Sequence, residues 1–132
     1  MNFEKTLLIL TEKNILPERR KIGYSFRKVR THSKNETVEH FLTKSLISFL
    51  ISKTKDSFLT EYEYPNSNRV DVLQVKTDKT LVGYQIESNS YPDYDEKYFP
   101  NTLISVIELK KLPENVKNSF KILEDYFKKV IL

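Results

Sequence analysis

Residues 69–90 read RVDVLQVKTDKTLVGYQIESNS. Two apolar runs, Arg69 to Lys76 and Leu81 to about Ser88, flank the triplet Thr77-Asp78-Lys79. β-branched residues on both sides of a polar turn predict two strands joined as a hairpin. Each run holds an acid among apolar residues: Asp71 interrupts the first, and Glu87 closes the second sixteen positions later. Paired strands set distant residues side by side, so a hairpin can bring these carboxylates together. A carboxylate buried alone is strongly disfavoured. A divalent cation shared by both would remove the two penalties, polarise a phosphoryl oxygen and acidify a bound water. The other solution is that both acids lie at strand edges and face water. The residues alone leave both open.

Outward from the hairpin, the patterns predict further elements. Phe58 to Tyr64 reads as a strand, stopped by Pro65 and the Asn66-Ser67-Asn68 turn. Short connections between it and the hairpin imply an antiparallel three-strand meander. Upstream, Ser33 or Asn35 is the expected cap of a helix from Glu36 to about Lys53. Its inward stripe would be Val38, Phe41, Leu42, Ser45, Leu46, Phe49 and Leu50. Glu36, His40 and Lys44 repeat every four residues and share a different face. Earlier still, Asn2 caps a predicted helix from Phe3 to about Lys13. Ile22, Tyr24 and Phe26 then alternate with polar residues, as a half-buried strand does. Downstream, Asn89 to Asn101 is polar and contains prolines, with one helical turn expected around Tyr94 to Phe99. Leu103 to Leu109 is dense in Ile, Val and Leu and predicts a strand. Pro113 and Glu114 suit the first turn of a last helix, with Val116, Phe120, Leu123, Phe127 and Val130 or Ile131 inward.

The length of 132 residues suits one domain with one core. The expected parts are an N-terminal helix and basic arm over 1–35, a core over 36–112 and a C-terminal helix over 113–132. With no cysteine, disulfides, thiolate metal sites and cysteine nucleophiles are excluded, and two histidines are too few for an ordinary zinc site. A metal here would rest on oxygen donors, which suits Mg²⁺ or Mn²⁺. No apolar run is long enough to span a bilayer, and no basic region followed by an apolar core marks a secretory signal. No membrane association is therefore expected, and the expected location is cytoplasmic. Glu18 to Lys34 carries Arg19, Arg20, Lys21, Arg27, Lys28, Arg30 and Lys34 against one acid. That is +6 within a chain of net +4, leaving −2 elsewhere. A basic segment on a slightly acidic body can hold a phosphate backbone without sequence preference. It can equally be a solvated face. Tyr24 and Phe26 would stack on bases if exposed, although their alternation favours the core.

An acid-bearing helix, a strand and then D-x(n)-E-x-K on a hairpin is the signature of the PD-(D/E)xK nuclease superfamily. From Glu36 to about Pro113 this chain resembles that superfamily. The segment ETVEHFLTK ahead of RVDV and QIESNS is similar to the CoiA-like branch and to small archaeal and viral members. The resemblance implies an α/β restriction-endonuclease-like core, a mixed sheet of four to five strands flanked by helices. It implies that Asp71 and Glu87 ligate Mg²⁺ or Mn²⁺, with the Ser88 carbonyl and either Glu36 or Glu39 as further ligands. It also implies DNA as substrate and a homodimer, because one small domain covers only one strand of a duplex.

The third motif position departs from the pattern. Lysine is expected there, and this chain has Asn89, which donates a hydrogen bond but carries no charge. Lys44 can supply an ammonium from the helix, or be an ordinary solvated lysine. His40 can meet a phosphate or a scissile oxygen, or be a surface residue. A second string, Pro92-Asp93 with Glu108-Leu109-Lys110, matches the motif literally, but Asp93 lies in an irregular stretch outside any predicted strand. The expected function is a metal-dependent DNA endonuclease. The alternatives are a DNA-binding module of the same fold without catalysis, and a structural protein such as a viral one.

Overall fold

The computed structural model describes residues 36–89, 91, 94 and 97–131. The helix and strand expected over 1–35, the seven basic residues Arg19, Arg20, Lys21, Arg27, Lys28, Arg30 and Lys34, and Pro92-Asp93 lie outside the described residues. The chain runs α1 (Val38–Ser52), β1 (Ser57–Glu63), β2 (Arg69–Val75), β3 (Leu81–Glu87), β4 (Thr102–Glu108), a 3₁₀ turn (Leu109–Lys111) and α2 (Glu114–Ile131). The four strands form one open mixed sheet in the order β1-β2-β3-β4. β1, β2 and β3 are the expected antiparallel meander, and β4 lies parallel to β3. The architecture is therefore α/β, a four-stranded mixed sheet with two flanking helices.

The sheet buries two groups of side chains. Phe58 and Val72 meet Ile51 of α1, with Ile47 and Tyr84 beside them. Leu59, Tyr62, Tyr64, Val70, Leu73, Val75, Leu81 and Phe99 form the larger cluster, with Tyr94 and Ile104 against it. Tyr64 is fully buried and its hydroxyl pairs with that of Thr102 at 2.5 Å, so its polar end is satisfied inside the core. Gly83 of β3 lies where Ile104, Val70 and Thr102 close in. A Cβ there would sit 2.9, 3.0 and 3.1 Å from their side chains. Gly83→Ala is therefore expected to lower stability by about 1–3 kcal/mol through overpacking, measured by urea unfolding. A neutral result would mean that β3 and β4 are less closely packed than described.

Three local expectations need correcting. The expected inward stripe of α2 is not buried, with Leu123, Phe127, Val130 and Ile131 exposed. The α1 cap is Thr37, whose hydroxyl accepts the His40 N–H at 3.2 Å, rather than Ser33 or Asn35. Glu36 thus stands outside the helix, free of its backbone geometry. The inward stripe is also turned. The buried residues of α1 are Thr43, Lys44, Ser48 and Ile51, while Leu46, Phe49 and Leu50 are more than half exposed. The polar stripe wins because Lys44 finds a buried carboxylate on β1, and Ile47 and Ile51 are enough to seat the helix on the sheet.

A polar cluster at one end of the sheet

The C-terminal ends of β1, β3 and β4 and the N-terminal end of β2 share one edge of the sheet, since β2 alone runs antiparallel. The N-terminal half of α1 reaches this edge. Lys44 is wholly buried, with its Nζ 2.7 Å from Glu36 Oε1 and 2.9 Å from Glu61 Oε1. Arg69 Nε lies 3.3 Å from Glu61 Oε2. His40 Nδ1 is 2.7 Å from Glu36, and its Nε2 is 3.4 Å from Asp71 Oδ2. Three acids (Glu36, Glu61, Asp71) thus interleave with three bases (His40, Lys44, Arg69). The hydrogen bond to Asp71 is the main reason the His40 pKa rises from 6.5 to about 9; burial opposes it and Glu36 adds to it. His40 is therefore a cation at neutral pH. Burial pushes the Glu61 carboxyl up, against the pull of Lys44.

The strands deform to build this arrangement. Thr60↔Val72 and Tyr62↔Val70 pair on either side of Glu61 and Asp71, which drop out of the ladder. Glu61 adopts φ 53°, a left-handed conformation that strains a residue carrying a Cβ by about 1–2 kcal/mol. On the other side, β2–β3 pairing stops at Val72↔Tyr84. Beyond it the Asp71 N–H donates to Gln85 Oε1 at 3.1 Å, Gln85 Nε2 donates to the Arg69 carbonyl at 2.7 Å, and the Ile86 N–H donates to Asp71 Oδ2 at 2.7 Å. Side chains thus replace the ladder where Asp71 sits. Strain and splaying thus coincide at one point of an otherwise regular sheet.

Each expected site residue now has a place. Asp71 lies in the gap between β2 and β3, its side chain 16% exposed. One register step beyond Val72↔Tyr84 sets Asp71 level with Gln85, so Glu87 stands further along β3. The Glu87 carboxylate accepts the Tyr94 hydroxyl, and Tyr94 packs against the larger core cluster. Burial and the bond to Glu87 raise the Tyr94 pKa, and the negative charge of Asp71 adds to this. The same hydroxyl therefore feels both carboxylates. Ser88 and Asn89 are exposed just past β3. Of the two helix acids, Glu36 enters the cluster, while Glu39 lies in the first turn of α1. Glu108 of the second motif string ends β4 and pairs with Lys111 at 2.6 Å; Lys110 is exposed.

The sequence reading missed Glu61, Arg69, Gln85 and Tyr94. Glu61 carried the same signal as Asp71, a charge inside an apolar strand (SFLTEYE). Gln85, in LVGYQIE, was a weaker version of it.

The donors present are hard oxygens, the kind that Mg²⁺ prefers. Among the described residues no three His, Asp or Glu side chains are gathered so as to hold a metal ion between them. Mg²⁺ commonly uses one or two carboxylates and completes its shell with water and substrate phosphate; here Asp71 already accepts from Ile86 N–H and Glu87 from the Tyr94 hydroxyl. Among the described residues no helix is long and apolar enough to cross a membrane. Comparison of the chain with protein-family models, with curated proteins and with solved structures gave no match.

Proposed function

We propose that this chain is a Mg²⁺- or Mn²⁺-dependent DNA endonuclease of the PD-(D/E)xK type, with a restriction-endonuclease-like core, acting at the end of the sheet where Asp71 sits. The observation that carries the reading is the network linking Glu36, just ahead of α1, and His40 and Lys44 of α1 to Glu61 and Asp71 of two strands. Burying Glu36, Lys44 and Glu61 and partly burying His40 and Asp71 is costly. In this reading Asp71 and Glu87, with the Ser88 carbonyl, hold the cation. The bound cation would polarise a phosphodiester and supply hydroxide at neutral pH. Glu36 acts from behind, by fixing His40 and Lys44. His40, positively charged at the exposed side of the cluster, attracts the phosphate. Lys44 sets the electrostatic balance of the site in place of the absent motif lysine. Asn89, at the end of β3, donates a hydrogen bond to the attacking water. The basic residues of 19–34 hold the DNA backbone.

A second reading is favoured by one specific feature. Lys44 is already locked between two carboxylates, and the motif lysine is replaced by Asn89. A DNA-binding module without catalysis would look like this. The test incubates the full chain with supercoiled plasmid DNA and Mg²⁺, Mn²⁺ or EDTA, beside a gel shift at low and high salt. Metal-dependent nicking is the expected result. Salt-sensitive binding with no cleavage selects the second reading. Neither binding nor cleavage rejects both.

A further inference from the structure

α2 is eighteen residues long, yet none of its side chains is buried. Its apolar residues lie along one side: Leu123, Tyr126, Phe127 and Val130, with Ile122 and Ile131 at the margins. These six are 44–73% exposed. α2 touches α1, and α1 adds Leu46, Phe49 and Leu50, each more than half exposed. In proteins a helix draws most of its stability from packing its amphipathic face. Val116 and Phe120 are only half buried, and the two helices together leave on the order of 1,000 Å² of apolar side chain uncovered, well above an ordinary monomer's largest patch.

We propose that this α1–α2 face is the interface through which two copies of the chain form a two-fold dimer. The area matches, since a stable interface needs about 800 Å² from each partner, and a self-complementary face offers it twice over. The chemistry matches as well. Tyr126 and Phe127 stack edge-on, 5.2 Å apart, and are the large aromatic anchors that dominate interface energies. Three of the four lysines of α2 are already paired within the helix, Lys117 with Glu114, Lys121 with Asp125 and Lys128 with Glu124. Two such faces meet without a block of like charge. A nucleic acid or an anionic membrane would instead call for a row of unpaired lysines along this helix. The interface stands on the exposed helices, independently of the nuclease reading. It begins at Leu46, less than one helical turn from Lys44 along α1, which leaves the sheet end open beside it.

The chain contains no cysteine, so a single introduced thiol can cross-link only between copies. The experiment combines sedimentation of the full chain over a hundredfold concentration range with oxidation of Ile122→Cys and of Lys121→Cys, the latter on the polar side of α2. A dimer, weakened at least ~30-fold by Phe127→Asp at unchanged helix content, and cross-linking of Ile122→Cys well ahead of Lys121→Cys are the expected results. If Phe127→Asp unfolds the chain, Leu50→Asp and the cross-linking contrast decide. A monomer at every concentration overturns the proposal, including one in which residues 1–35 cover this face. A dimer that survives both substitutions, or equal cross-linking at the two positions, overturns it too.

Discussion

Lys44→Met is expected to destabilise the fold by about 3–5 kcal/mol, because it removes the cation shared by two buried carboxylates. Glu36 and Glu61 both contact Lys44 Nζ, and their side chains are each only 4% exposed. With the ammonium gone, they must either take up protons or stay charged in a poor solvent, and both cost free energy. Arg69 and His40 each retain one of the acids, so the loss stays finite. The charge argument makes a second claim. Adding Glu36→Gln and Glu61→Gln to Lys44→Met should recover most of the loss, since replacing a whole buried ion network by neutral groups is often tolerated. Urea unfolding of the single and triple variants measures both. If the single variant loses less than about 1 kcal/mol, as exposed pairs do, Lys44 reaches water and the buried network is wrong.

The contrast between Lys44 and Leu50 shows how much of this molecule was legible in its sequence. The hairpin around Asp71, the strand before it and β4 follow from local alternation and turn residues, and they stand where the pattern put them. Local signals also start α2 in the right place, at Pro113 and Glu114. The orientation of α1 was not legible, because its decisive contact is with Glu61, seventeen residues away. Apolar counting turned Leu46, Phe49 and Leu50 inward. Yet those residues stay largely exposed, and a lysine takes the most buried position. For the same reason the candidate site was half visible. Asp71 announced itself as an acid in an apolar strand. Its partnership with His40, and the replacement of ladder bonds by Gln85, depend on strand splaying that no periodicity encodes. That Glu36 and not Glu39 joins the cluster depends on the cap falling at Thr37, a detail of local geometry.

Asp71→Asn tests the two roles assigned to one carboxylate, and its effects should be separable. As a metal ligand, Asp71 would supply several kcal/mol of charge stabilisation, so cleavage of DNA with Mg²⁺ should fall by roughly a hundredfold or more. Persistence of cleavage would remove Asp71 from the site. As the main partner of His40, Asp71 holds the imidazolium pKa near 9 against 6.5 for the free group. In Asp71→Asn the His40 proton signals followed by NMR should titrate well below 9. Burial then pulls that pKa down while Glu36 holds it up. A pKa raised by folding means that the native state binds a proton the unfolded chain has released. The stabilisation from His40 is therefore complete below about 6.5 and fades as pH rises through about 9. Because the ring touches water, the contribution is about 1–2 kcal/mol after screening. Unfolding free energy should accordingly fall more between pH 6.5 and 9 in the native chain than in Asp71→Asn. Parallel slopes would show that His40 and Asp71 do not share that proton. A variant that keeps its fold, loses its pH slope and still cuts DNA would separate the electrostatic network from the chemistry assigned to it.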